Sequence, residues 1–425
     1  MIRNINMPIL CLMMAVLSSC NNFNREKKQN EAIRETIYNI SALLTNPDSV
    51  STLEPTADLP IEIHLPQKKV LLNPADIVEV SHYLPLETNA EAMMGPIWGI
   101  QFHDRYIFLR DDSRKVIFIF DQAGKFIRQI RHDGNGPGEY YRIMAYTVHE
   151  GKILIYDDVK KKTHIYSHED KWLGSNDMAI MFNTFEVLPD GSYFIYTGRF
   201  RNEFYPQIRD HEFLFGFPDS LITHKAFLRS KGQQNMSPET IEALYPDKES
   251  CLFRQNYGHI IYQLTPNKQI RPRYKVIFDK YVTEESLINA HPGNNQIEIL
   301  KEGYQFLKGR WLETDKYAMF SYPYVDSEIR GTLLTKCFYS KERKSIFAYD
   351  ATLTNHPFLD YNSPVTTFQD MFVSILWPHK ILEKKDQLLQ QNANNPEVLR
   401  ILNQLKEEDN PVLMFFRIKE NNPLF

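Results

Sequence analysis

The sequence predicts an all-β protein, a six-bladed β-propeller with a short N-terminal helix and a C-terminal helical insertion. Three observations carry this. From about residue 60 onward, short runs rich in Ile, Val, Phe and Tyr are broken every few residues by Asp, Gly, Asn or Lys turns. Aromatic residues make up 13% of the chain, which suits flat rings packed between stacked sheets. The third is an internal repeat: Gln101–Ile127 aligns without a gap on Thr147–Leu173, placing His103 on His149, Asp111 on Asp157, Asp112 on Asp158, Lys115 on Lys161 and Phe120 on Tyr166. Each copy reads as four strands joined by tight turns. A four-stranded unit of this length cannot bury both faces alone, so neighbours must stack.

Residues 1–19 read as an export leader. Arg3 gives the positive start, Ile9-Leu10-Cys11-Leu12-Met13-Met14-Ala15-Val16 the apolar stretch, and Leu17-Ser18-Ser19 the small residues before Cys20. That ending resembles the lipobox of bacterial lipoproteins. The resemblance implies cleavage before Cys20, lipidation of its thiol and a location in the cell envelope at the outer membrane. The apolar stretch is too short to span a bilayer, so a lipid anchor is the only membrane attachment expected.

Residues 20–59 are expected to form a lipidated tether and a short helix. The tether is the polar stretch from Asn21 to about Gln29, and the helix follows from Ile33, Ile37, Ile40 and Leu44 at helical spacing. Residues 60–425 then form the propeller domain. Gln101–Ile127 and Thr147–Leu173 supply two blades. Phe182–Arg229, Cys251–Asp279 and Phe306–Ala351 supply three looser copies. Pairing Val412–Ile418 with one of the N-terminal strands, Ile61–Leu65 or Ile77–Leu86, would close a sixth blade and remove exposed sheet edges. Asn395 and Pro396 start a helix whose apolar face is Val398, Ile401, Leu402 and Leu405, within an insertion from about Lys380 to Glu408. Such a face ordinarily meets its own core.

Three motifs carry a family resemblance: His132-Asp133-Gly134-Asn135-Gly136-Pro137-Gly138-Glu139-Tyr140, Tyr83-Leu84-Pro85-Leu86-Glu87 and Asn410-Pro411-Val412-Leu413. Together with the lipobox they resemble the six-bladed β-propeller lipoproteins of Bacteroides-type bacteria, which are distantly similar to NHL-repeat propellers. The resemblance implies fold and location far more than activity.

In a propeller the turns between strands two and three, and from strand four into the next blade, share one face at the channel mouth. The alignment places Asp111, Asp112 and Arg114 there from one blade, and Asp157, Asp158 and Lys160 from the next. The turn carrying Asp133, Asn135, Glu139 and Tyr140 is expected on the same face. These groups could hold a glycan, a peptide or a cation. The same aspartates are also what tight turns use to bond their own backbone, and the glycines what such turns need for positive φ.

Catalytic and metal signatures are sparse. His164 and His168 would stand about 13 Å apart on a strand, too far for one ion. No Cys-x-x-Cys pair, nucleophile elbow, P-loop or dinucleotide fingerprint occurs, so no catalytic residue, metal or cofactor is nominated. Cys251 and Cys337 read as buried apolar thiols, with a single disulfide after export as the alternative. The net charge of −4 gives no electrostatic reason to expect nucleic acid. Two readings of function follow: a non-enzymatic binding or scaffold lipoprotein for an extracytoplasmic glycan or peptide, or a propeller lyase or hydrolase using paired carboxylates at the channel mouth.

Overall fold

Strands such as Val116–Asp121 and Met371–Leu376 are apolar at nearly every position rather than at alternate ones. That pattern belongs to strands covered on both faces, and here the cover is a neighbouring sheet. The computed structural model describes residues 50–66, 77–178, 180–198, 200, 202, 203, 205, 207–216, 222–228, 243–247, 250–289, 295–326, 331–350 and 364–420. The leader, Cys20, the tether and the expected N-terminal helix lie outside these residues.

Six sheets, each built on four antiparallel strands, make the ring, a six-bladed β-propeller. Blade 1 is Ile97–His103, Tyr106–Asp111, Val116–Asp121 and Phe126–Ile130. Blade 2 is Ala145–His149, Lys152–Asp157, Lys162–Ser167 and Trp172–Asp177. Blades 3, 4 and 5 begin at Thr184–Val187, Leu244–Asp247 and Leu312–Glu313. The fourth therefore starts one strand earlier than the Cys251 read from the sequence. Its inner strand, Leu244-Tyr245-Pro246-Asp247, is too short and too Pro-interrupted to announce itself. In blade 6, Thr366–Phe368, Met371–Leu376 and Val412–Ile418 come from the C-terminal end and the outer strand, Val78–Pro85, from the N-terminal end. Val412 pairs with Pro85 and Ile418 with Val78, so the ring closes by the C-terminal strand and the second of the two N-terminal candidates.

The first candidate does something else. Ile61–His64 lies parallel to Ile270–Ile277 as a fifth strand of blade 4, and Ser51–Leu53 lies parallel to Ile222–Ala226 as a fifth strand of blade 3. The N-terminal segment is thus a belt over two outer edges, covering backbone groups that would otherwise be left open.

The core sits in the seams between blades. Phe108, Ile117, Ile119 and Ile130 of blade 1 meet Ile153, Ile155 and Tyr166 of blade 2. The other seams repeat this with aromatic stacks, Tyr156 on Phe182 at 3.7 Å and Trp311 on Phe320 at 5.1 Å among them. Cys251 and Cys337 occupy two different seams, where each packs as a small apolar side chain. The C-terminal insertion forms as expected: helices Pro378–Glu383, Lys385–Gln391 and Pro396–Gln404, with the Asn395 side chain accepting from the Val398 amide at 3.2 Å. Val398, Ile401 and Leu402 join the blade 5–blade 6 core. Two further short helices, Glu284–Asn289 and Asn295–Lys301, lie between blades 4 and 5. The sequence reading did not anticipate them.

Candidate ligand-binding channel

The inner strands of all six blades surround a cavity of about 1240 Å³. Its walls carry Trp98, Phe102, Tyr146, Tyr245, Trp311 and Phe368. Among the described residues, Arg110, Arg142, Arg273, Arg310 and Lys341 are set against Asp112, Glu186, Glu313, Asp315 and Asp370. The charges are balanced in number, and most of those with defined contacts are already committed to protein partners.

At the upper mouth two guanidinium–carboxylate pairs stand side by side. Arg110 Nε lies 2.6 Å from Asp112 Oδ1, and its Nη1 donates to the Met144 carbonyl at 3.2 Å. Arg142 Nε donates to Asp158 Oδ1 at 2.8 Å, and its Nη2 to Asp158 Oδ2. Burial is the largest influence on Asp112 and raises its pKa, against the lowering effect of Arg110. The Asp158 hydrogen bond holds Arg142 above the usual arginine value. Deeper in the cavity, Glu186 accepts from Thr147 Oγ1 at 2.9 Å. Its carboxyl lies on the cavity wall, and burial within the ring pushes it up to about 7. Glu313 is pinned by Lys341 Nζ at 2.7 Å, Arg273 Nη2 at 3.0 Å and the Trp311 indole N–H at 3.0 Å.

The residues singled out from the sequence divide into three groups. Asp112 lines the cavity, and Asp158 reaches it through Arg142. Asp111 and Asp157 are fully buried and bind backbone instead. Asp111 accepts from the Gly95 and Arg114 amides and from Ser113 Oγ, and Asp157 accepts from the Tyr141, Val159 and Lys160 amides. Each one clamps its own turn to the segment arriving from the previous blade. Arg114 stands 3.9 Å from Asp111 and donates to the Met93 carbonyl. Lys160 donates to the Glu139 carbonyl at 2.7 Å.

The turn with Asp133, Asn135, Glu139 and Tyr140 emerges on the expected face, beside Lys115 and Lys160 of the strand-two-to-three turns, but away from the channel. It folds into the seam between blades 1 and 2, and none of these four residues lines the cavity. Tyr140 is buried, with its hydroxyl bonded to the Lys115 and Ile130 carbonyls. Glu139 Oε2 accepts from the Gly136 amide at 2.7 Å, inside its own turn, and Asp133 pairs with Lys115 at 2.9 Å. Asn135 is exposed. His132 stacks on Tyr166 and bonds Asp170, fixing the turn to blade 2. The turn holds two blades together because blade seams, not the channel, offer it an apolar bed.

Sequence reasoning missed Trp98, Arg110, Arg142, Glu186 and Glu313. A signal was available for Glu186: a lone carboxylate in the apolar run Phe185-Glu186-Val187-Leu188, which a strand buried on both faces would not tolerate without a polar surface to meet.

Comparison with one solved structure, an exported protein, agrees with this architecture. No curated protein matches the chain. A Bacteroides fragilis protein described as exported is 18% identical, aligned over 85% of this chain and 100% of its own, with a TM-score of 0.68. A DUF4221 family member from Bacteroides vulgatus is 11% identical, aligned over 81% of this chain and 99% of its own, with a TM-score of 0.45. The family model described as Domain of unknown function (DUF4934) matches residues 60–417, which runs from the belt strand Ile61–His64 into the closing strand, and the chain belongs to that family.

Proposed function

We propose that this protein is a cell-envelope lipoprotein whose propeller binds an extracytoplasmic glycan or peptide in its axial channel without transforming it. The observation that carries the binding part is the cavity itself. It is of ligand size, it is walled by aromatic rings, and its charged groups include Arg110 paired with Asp112 and Arg273 and Lys341 paired with Glu313. Such a wall offers stacking and hydrogen bonds but little net charge. Location rests on Leu17-Ser18-Ser19-Cys20, and the similar B. fragilis protein described as exported is in keeping with it.

Binding is tested by titrating the purified protein against glycan and peptide panels. Saturable binding weakened by Phe368→Leu or Asp370→Asn, with the melting temperature kept near the parent's, is expected. Binding unaffected by either substitution would place the ligand elsewhere. For the anchor, Cys20→Ala should move the protein from the membrane to the soluble fraction and abolish labelling by a palmitate analogue.

Glu186 favours a second reading, a propeller enzyme. A carboxyl near 7 inside a cavity is poised to donate or accept a proton at neutral pH. Turnover of an extracellular polymer that disappears in Glu186→Gln while binding persists would decide for it.

A further inference from the structure

Trp98 is half exposed, an unusual expense for the largest apolar side chain, and it lines the cavity. A β-bulge puts it there. In blade 1 Ile97 pairs with Asp111 and Gly99 with Arg110, which leaves Trp98 without a cross-strand partner between them. A bulge of this kind re-aims a side chain. Gly99 beside it has no side chain to stand in the way, and a Cβ there would lie 3.1 Å from Tyr146 Cε1. Arg110 of the Arg110–Asp112 pair is the cross-strand partner of Gly99, the residue after Trp98, and the Arg142–Asp158 pair stands next to that pair across the blade seam.

We infer that this mouth is a sugar subsite that takes a neutral hexose or pentose unit of an oligosaccharide, stacked on Trp98 and bonded by the two ion pairs. The inference rests on the binding reading above and narrows its ligand class. A pyranose presents a face of C–H groups and a rim of hydroxyls. The indole face suits the first, and planar guanidinium and carboxylate edges suit the second. Each guanidinium already has its own carboxylate, so an anionic sugar meets no unpaired cation and a basic peptide no unpaired anion. Arg142 has a half-exposed side chain whose Nε and Nη2 are taken by Asp158, leaving Nη1 to face a hydroxyl.

The test uses the full chain in detergent, titrated with cellohexaose, mannohexaose, xylohexaose and maltohexaose, with a heparin-derived hexasaccharide and a mixed peptide library as comparison ligands. At least one neutral hexasaccharide is expected to bind and to quench or shift tryptophan emission. Trp98→Ala should weaken that binding at least tenfold, and Trp98→Tyr should recover part of it. Trp98 is partly exposed, so both variants should melt like the parent. Binding of only the heparin fragment or only peptides, or neutral-sugar binding indifferent to Trp98→Ala, overturns the subsite while leaving the channel as a binding cavity. Failure of every ligand overturns both.

Discussion

Gly138 holds φ +75°, and a Cβ there would sit 2.8 Å from the Trp172 ring. Gly138→Ala combines a left-handed backbone with a clash, and should cost about 2 kcal/mol. A melting temperature unchanged from the parent would contradict this. His164 makes the pH argument. It is buried in blade 2 with neither ring nitrogen hydrogen-bonded among the described residues, and burial lowers its pKa to about 4, helped by Lys160 and Lys162. The unfolded chain, titrating near 6.5, binds the proton first, so stability should fall as pH drops from about 6.5 to about 4, by at most roughly 3 kcal/mol from this residue. His164→Leu should flatten that part of the profile, measured by denaturant unfolding at pH 7 and pH 4.5. Glu186 acts in the opposite direction: its raised folded value makes ionisation a cost that appears as pH rises from about 4.5 to about 7. Glu186→Gln should therefore gain stability over the parent at pH 8 and match it at pH 4.

Among elements, the two best repeats agree down to the backbone. Left-handed residues recur at matching places, Asp104 with Glu150 and Lys115 with Lys161, and Gly124 finds its counterpart in Asp170. Asp111 reaches back to the Gly95 amide as Asp157 reaches back to Tyr141. Asp157→Ala would leave three amides without this acceptor and cost about 3 kcal/mol. Amide exchange at Tyr141, Val159 and Lys160 should accelerate ahead of the rest of blade 2, and unchanged protection there would count against the clamp.

For the molecule as a whole, stability depends on a closed ring. Asn410 is buried at the closure: its Nδ2 donates to the Glu87 and Ala92 carbonyls at 2.7 Å each, and its Oδ1 accepts from the Met94 amide at 2.9 Å. Asn410→Ala should cost about 3 kcal/mol through the buried groups it strands. Ending the chain before Val412 removes one strand of blade 6 and unpairs Val78–Pro85. Such a truncation should lose its single cooperative melt, as two blade faces become solvent-exposed at once. A cooperative transition retained in the truncated chain would show that closure is dispensable.

The repeat, the turn chemistry and the two ends made the blades and their closing strand legible in the sequence, because four-strand units carry their periodicity locally. The Asn410 and Gly-Pro-Gly-Glu-Tyr motifs stood out through the family resemblance they carry. Their roles as clasps were not legible, since a turn's partners lie in another blade. What the sequence by itself determined is an all-β ring with its ends joined. Which charges reach the channel was decided only by the tertiary structure. Asp111 and Asp112 are neighbours in the chain, yet one is buried against backbone amides and the other faces the cavity. Trp98, Arg142 and Glu186 come from three different blades or their junctions, and only the radial stacking of sheets brings them to one wall.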